Sequence, residues 1–551
     1  MKSIASVLSI IALGFGLLGC PSSGGGGGGG STPAFAVSTT AADFGVVGNA
    51  YSSTLAITGG TAPLTWALFG GALPAGLSLD TGTGVVSGTP TVDGNSTAVF
   101  TVTDSTGKTA TGSVLFAVHP RTDLLSVDNS TSPVPGIAPS SRPSISNDGR
   151  FVAFASSASN LIPVVGGSQI YLHDWQTNQT SLVSRDSGVA INPGNGTSSA
   201  PSISSDGRFV TFVSNSTNLV TGVSGQQIYL RDVQTGVTSL VSKDNLGNQA
   251  SGGSATASPS ISSAGRFVAY VSDATNLVTG TTGQQVYLYD SQTTIAFPNG
   301  QTTLISKDNH LTPLPGDGAS SSPSISRDGC FVAFASLSTN LIFPPPGNQQ
   351  IYVRGTQLGP GICAGTFLTI LVSKDNSASP VPGNGLSSSP SISSSGRFVA
   401  FTSLASNLVP PASGQQIYMH DRFGSFNGTT SLVSKDNSAS PVQGNGNSSI
   451  SSISDDGCSV AFASVSTNFG VLGGNRQIYV RGPLPGPGIC PGTEQTSLVS
   501  QDNSPVPVAG DGLSSDPSVN ANGGFVAFSS LSTNLVLPGP GNQQIYVRAL
   551  P

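Results

Sequence analysis

A unit recurs seven times between residue 122 and the C-terminus, and it limits this chain to very few architectures. The clearest copy begins Pro201-Ser202-Ile203-Ser204-Ser205-Asp206-Gly207-Arg208-Phe209-Val210. First runs start at Pro143, Pro201, Pro259, Pro323, Pro390, Ser451 and Pro517. A glycine turn follows each, such as Asp148-Gly149 or Asn522-Gly523, and predicts a two-residue hairpin joining runs one and two. The second run, Phe151-Val152-Ala153-Phe154 and its equivalents, is apolar at consecutive positions, which fits a strand buried on both faces. Third and fourth runs follow, as in Gln227 to Asp232 and Thr238 to Ser242. Four short strands in a period of roughly 60 residues predict a propeller blade.

The ends of the array predict a closed ring. The last copy stops after its third strand, at Gln544 to Arg548, and the missing fourth strand stands ahead of the first copy, at Asp123 to Asn129. The fold class expected is all-β: a seven-bladed β-propeller closed by an N-terminal strand. The cores P-S-I-S-x-D-G-R-F-V-A-F, S-T-N-L-V, Q-Q-I-Y-L-R-D and T-S-L-V-S resemble the TolB-like family of bacterial propeller repeats over residues 119–551. That resemblance implies the fold and a periplasmic or surface setting, and transfers little about function.

The N-terminus reads as a processing signal over residues 1–19. Lys2 supplies the charge and Ile4 to Leu18 a short apolar stretch. Leu17-Leu18-Gly19-Cys20 resembles a bacterial lipobox, which implies lipidation at Cys20. Pro21 in place of Asp then points to the outer membrane. Residues 20–32, with glycine from Gly24 to Gly30, form a flexible tether.

Residues 33–118 lie outside the repeat. Short alternating runs such as Ser53 to Ile57 and Ala98 to Val102 predict a small β-sandwich. The segments Gly59 to Trp66, Leu73 to Asp80 and Gly84 to Pro90, with Val102 to Ser105, resemble Ig-like, cadherin-like modules of bacterial surface proteins. In such modules an aspartate like Asp104 can touch calcium. Asp43, Asp93 and Asp104 do not form a recognisable loop, so Asp104 is expected to cap a turn.

Cys330 and Cys458 replace the arginine after the turn in blades 4 and 6, and the same two blades carry Cys363 and Cys490 before strand four. No other blade has cysteine at either place. Both places lie at one end of a blade, which predicts Cys330–Cys363 and Cys458–Cys490 disulfides and an oxidising compartment.

Charged residues are 8% of the chain, Glu occurs once, and the net charge is −6, so no basic face invites nucleic acid. His173 and His420 share one repeat position and are expected at the surface. His119 lies at the domain junction and His310 in a loop. No catalytic residue, metal site or cofactor is expected.

Each blade has an asparagine after strand two (Asn160 to Asn534) and a glutamine before strand three (Gln169 to Gln544), expected to fold turns and satisfy neighbouring blades. The Lys-Asp-Asn run after strand four is expected to be a solvated turn. Specificity is expected from variable loops at Pro344 to Pro346, Pro410-Pro411 and Ile295 to Asn299. The function favoured is a non-enzymatic, lipid-anchored envelope protein whose propeller is a scaffold for an envelope protein. A surface-glycan binder is the alternative, and a propeller lyase or hydrolase a third.

Overall fold

The computed structural model describes residues 34–550 except 164–165, 252–258, 293–297, 357–362, 364–366, 411–412, 424–427, 472–473, 483–489, 491–492, 505 and 538. The signal sequence, Cys20, the tether, Pro411 and most of the 295–299 insertion lie outside the described residues.

Every regular element in the described residues is a β-strand. The repeat folds into seven four-stranded sheets. Six are antiparallel meanders of consecutive strands, as in Ser198–Ile203, Phe209–Ser214, Gln227–Asp232 and Val237–Leu240. The seventh takes its outer strand, Thr122–Leu124, from the N-terminal side and pairs it with Gln544–Ala549 in the register Thr122↔Arg548. That blade joins the two ends of the array and leaves no bare edge on its third strand.

Inner strands are tied in a ring. The Ile203 N–H donates to Ser144 Oγ of the preceding blade at 3.1 Å, and the contact repeats at Ile261, Ile325, Ile392, Ile453 and Val519. Ile145 N–H on Ser518 Oγ, at 3.3 Å, closes the circle. The architecture is thus a seven-bladed propeller. Its core lies between blades: Val152, Ala153 and Phe154 of one second strand are all 0% exposed, as consecutive apolar residues require.

The glycine turn differs from the two-residue hairpin expected. Strand one ends at Ile145 and strand two begins at Phe151. The link is longer because Ser146 and Asp148 fold it: Ser146 Oγ accepts from Phe151 N–H, and Asp148 Oδ1 from Arg150 N–H. Only the glycine has positive φ, 80° at Gly149, and a Cβ there would meet the Phe525 ring of the preceding blade at 2.5 Å.

Residues 34–119 form a sandwich. One sheet holds Gly45–Val46, Thr109–His119, Gly94–Thr103 and Thr65–Gly71; the other holds Tyr51–Thr54, Val85–Gly88 and Leu77–Leu79. Trp66, Val86, Phe100 and Phe116 fill it. The sandwich sits against the turn end of blades 7 and 1. Phe44 packs on Trp175 and Phe525 at 5.0 and 5.7 Å, and Trp175 Nε1–H donates to Asp123 at 2.7 Å. Gln176 and Arg121 add bonds to the Ala42 and Val47 carbonyls.

Candidate functional site

The repeated polar residues are occupied by the scaffold. Each third-strand glutamine is at most 2% exposed. Gln169 donates to the Gly194 carbonyl of the link into the next blade and accepts from Ser184 Oγ at 2.6 Å. The same pair of bonds recurs through Gln544, which reaches Gly136 and Ser126 across the ring closure. Each asparagine clamps the link that enters its own blade. Asn218 accepts from Asn195 N–H at 2.9 Å and donates to the Pro193 carbonyl at 2.9 Å. Equivalent bonds hold Asn160, Asn276, Asn340, Asn407, Asn468 and Asn534. These fourteen amides do not form an open ligand-binding ring.

Two surface expectations are corrected. His173 is fully buried and His420 nearly so, because the third strand lies inside the blade. Arg231, Arg354, Arg481 and Arg548, at the same repeat position, are buried too. Thr180 gives its single hydroxyl proton to the Val127 carbonyl at 2.8 Å, so it accepts from His173 Nδ1–H at 3.0 Å. Nε2 is then bare and unpaired. Burial pushes the imidazole down to about 4 in His173 and about 3 in His420. The Lys-Asp-Asn turn is likewise not simply solvated. Asn245 accepts from Thr302 N–H of the next blade at 2.7 Å, and Asn309, Asn376 and Asn437 do the same. Burial holds Lys243, Lys307 and Lys374 below the usual lysine range.

The cysteines pair as Cys330–Cys363 and Cys458–Cys490, with Cα–Cα distances of 5.4 and 5.6 Å. In blades 1, 2, 3 and 5 the arginine after the turn forms a forked ion pair with the aspartate ending strand three, as in Arg150–Asp174 and Arg208–Asp232. Blades 4 and 6 lose both partners: Cys330 and Cys458 replace the arginine, and Gly355 and Gly482 the aspartate. A covalent bond stands where those four blades have an ion pair, and blade 7, with Gly524 and Ala549, has neither. Two disulfides point to an oxidising setting outside the cytoplasm. No helix among the described residues is long and apolar enough to cross a membrane.

With the polar positions occupied, one face differs chemically around the ring. At the end of strand two, beside the inner strands, blades 1 to 3 carry Ser157, Asn215 and Asp273. Blades 4 to 7 carry Leu337, Leu404, Val465 and Leu531, and the adjoining residue before strand one is Leu386 in blade 5 and Leu513 in blade 7. Backbone bonds join Leu404 to Leu386 and Leu531 to Leu513, at 2.9 Å each. All six side chains are 38 to 52% exposed. This aliphatic arc lies at the opposite end of the strands from the sandwich. Asp317 and Asp511 stand at its two ends, each accepting from a threonine N–H and hydroxyl at 2.6 Å. Burial pushes both carboxyls up, but these bonds outweigh it and hold them below the usual range. Phe343, beside Pro344 to Pro346, is exposed on the same face. The arc is not visible in the repeat pattern because the differences are single residues within a shared repeat.

Cavities recur between blades and follow the repeat; one of about 530 Å³ lies between blades 2 and 3. Asp104 accepts from the N–H groups of Thr61, Thr106 and Lys108, as a turn cap does. Among the described residues no group of three or more His, Cys, Asp or Glu is placed to hold a metal ion.

Residues 32–119 match the family described as "Putative Ig domain". No curated protein matches the chain. Among solved structures, the chain is similar to an oligogalacturonate lyase of Vibrio parahaemolyticus, at 12% identity over 78% of this chain and 96% of that one, with a TM-score of 0.44. It is similar to a "putative TolB" of Agrobacterium tumefaciens at 14% identity over 76% and 92%, with a TM-score of 0.29. A periplasmic gluconolactonase of Pseudomonas aeruginosa matches at 13% identity over 72% and 91%, with a TM-score of 0.32.

Proposed function

We propose that the chain is a non-enzymatic, lipid-anchored protein of the bacterial cell envelope, with TolB-like repeats, whose propeller holds a partner protein. The observation that carries this reading is the aliphatic arc over blades 4 to 7. Exposed apolar side chains gathered on one face of a protein mark an interaction site, and branched aliphatic side chains desolvate well against another protein's apolar side chains. A glycan would call for several aromatic platforms, and all 10 tyrosines and both tryptophans are buried, leaving Phe343 as the exposed ring beside the arc. The Cys20 lipobox, the tether and the disulfides support anchoring at the outer membrane, with the sandwich between membrane and propeller.

The test uses the full-length protein in its own cells. Leu404→Glu/Leu531→Glu should abolish in-cell crosslinking to one partner protein while leaving the far-ultraviolet circular dichroism unchanged. Cys20→Ser should release the protein from the membrane fraction. Binding on a glycan array that free sugar competes and the arc variant retains would favour the carbohydrate reading instead.

A further inference from the structure

The second residue after each inner strand forms a belt around the central channel at the sandwich-side end. Asn147 N–H donates to the Ser205 carbonyl, Ser205 to Ser263, and Ser263 to Arg327, at 2.9 to 3.1 Å. Asp328 N–H makes the next step to the Ser394 carbonyl at 3.5 Å, and Ser394 N–H continues to Asp455 and Asp455 to Ala521. Asn520 Nδ2 on the Asn147 carbonyl, at 3.0 Å, completes the circle. Since each bond joins one blade to the next, these positions stand at the innermost radius. Five of the seven are small and neutral: Asn147, Ser205, Ser263, Ser394 and Ala521. The other two are Arg327 and Asp455, of opposite charge.

Arg327 Nε donates to Asp455 Oδ1 at 2.5 Å, and its Nη1 donates to Ser205 Oγ at 2.7 Å. Blade 4 thus grips blade 6 on one side and blade 2 on the other, neither of them its neighbour. A side chain that touches non-adjacent blades in both directions crosses the middle of the ring. The Arg327 and Asp455 side chains are 20% and 19% exposed, so solvent screens the pair only in part. The planar guanidinium fork suits a two-sided grip that a lysine ammonium does not reproduce.

We infer that Arg327, Asp455 and Ser205 form a strut that bars the sandwich-side mouth of the channel and fixes the spacing of blades 2, 4 and 6. Adjacent-blade contacts alone let a ring breathe; a bond through its centre couples blades that share no interface. The two charged belt positions fall in blades 4 and 6, which also carry the disulfides, so this braced pair combines a covalent staple at the turn end with an ionic one at the channel.

A double-mutant cycle tests it. Arg327→Ser reproduces the residue of blades 2, 3 and 5 and is expected to fold; Arg327→Lys keeps the charge without the fork. Arg327→Ser, Asp455→Ala and the double variant are compared by denaturant midpoint and by hydrogen exchange. Each single change should speed exchange about tenfold at the turns of residues 205–207 and 455–457, with the Thr122–Leu124 pairing unaffected, and the double variant should be no worse than the worse single. Additive effects, or unchanged exchange at both turns, would overturn the coupling. A structure of Arg327→Ser should show water across the mouth, and a mouth still filled by other side chains would overturn the barring.

Discussion

At the residue scale, equivalent positions exchange one device for another while keeping the same connection. His173, Arg231, Tyr289, Arg354, His420, Arg481 and Arg548 are all buried at one repeat position. The two histidines make stability depend on pH. Their folded pKa values, about 4 and about 3, lie below the unfolded value near 6.5, so the unfolded chain binds more protons in between. Their contribution is fully present above about pH 6.5 and is lost as pH falls toward those folded values. For His173 the full loss is on the order of 3 kcal/mol. Thermal melts should fall between pH 6.5 and 4, above the range where the aspartates titrate, and His173→Arg/His420→Arg should flatten that slope. The second substitution at this scale is ion pair for disulfide. Cys330→Ser should cost about 3 to 4 kcal/mol on the chain-entropy model, against about 1 kcal/mol for the half-exposed Arg208→Ser; chemical denaturation would separate them.

At the scale of elements, the strands were legible and the links between them only partly so. Alternation and consecutive apolar runs identify the strands because burial imposes them directly; the missing fourth strand, expected over Asp123 to Asn129 from its match to the other copies, forms at Thr122–Leu124. The turn was misread because Asp-Gly is also compatible with a longer link that Ser146 and Asp148 fold through their side chains. His173 departs from expectation because a polar residue in a strand looks like a surface residue until its partner on the adjacent strand of the same blade, Thr180, is known. The cysteines were legible because their departures from the repeat coincide in two blades. Arg327 and Asp455 carry the same kind of signal, opposite charges at one otherwise neutral position. For the glutamines, Gln227→Ala should leave Ser242 Oγ and the Ala250 carbonyl short of a partner. The cost expected is about 2 to 3 kcal/mol, read from a denaturant midpoint.

At the scale of the molecule, the sandwich and the propeller act as one support with a chemically uneven far face. Phe44, His119, Trp175 and Phe525 seat the sandwich, so Phe44→Ala should expose Trp175 and shift the fluorescence emission to longer wavelength. If the seat is not kept in solution, that emission will not move. The repeat itself accounts for the seven equivalent blades, while the arc exists only through departures from it at Leu337, Leu404, Val465 and Leu531. On the proposed reading, a propeller whose shared polar groups are occupied internally uses its non-equivalent positions for recognition. The most direct measurement is photocrosslinking in cells, with a photoreactive residue placed at Leu404 of the full-length protein and, as a control, at Val237 on the outer edge of blade 2. One dominant protein adduct is expected from Leu404, lost when Leu531→Glu is added, and none from Val237. Equal labelling at both positions, or a Leu404 adduct indifferent to Leu531→Glu, would contradict it.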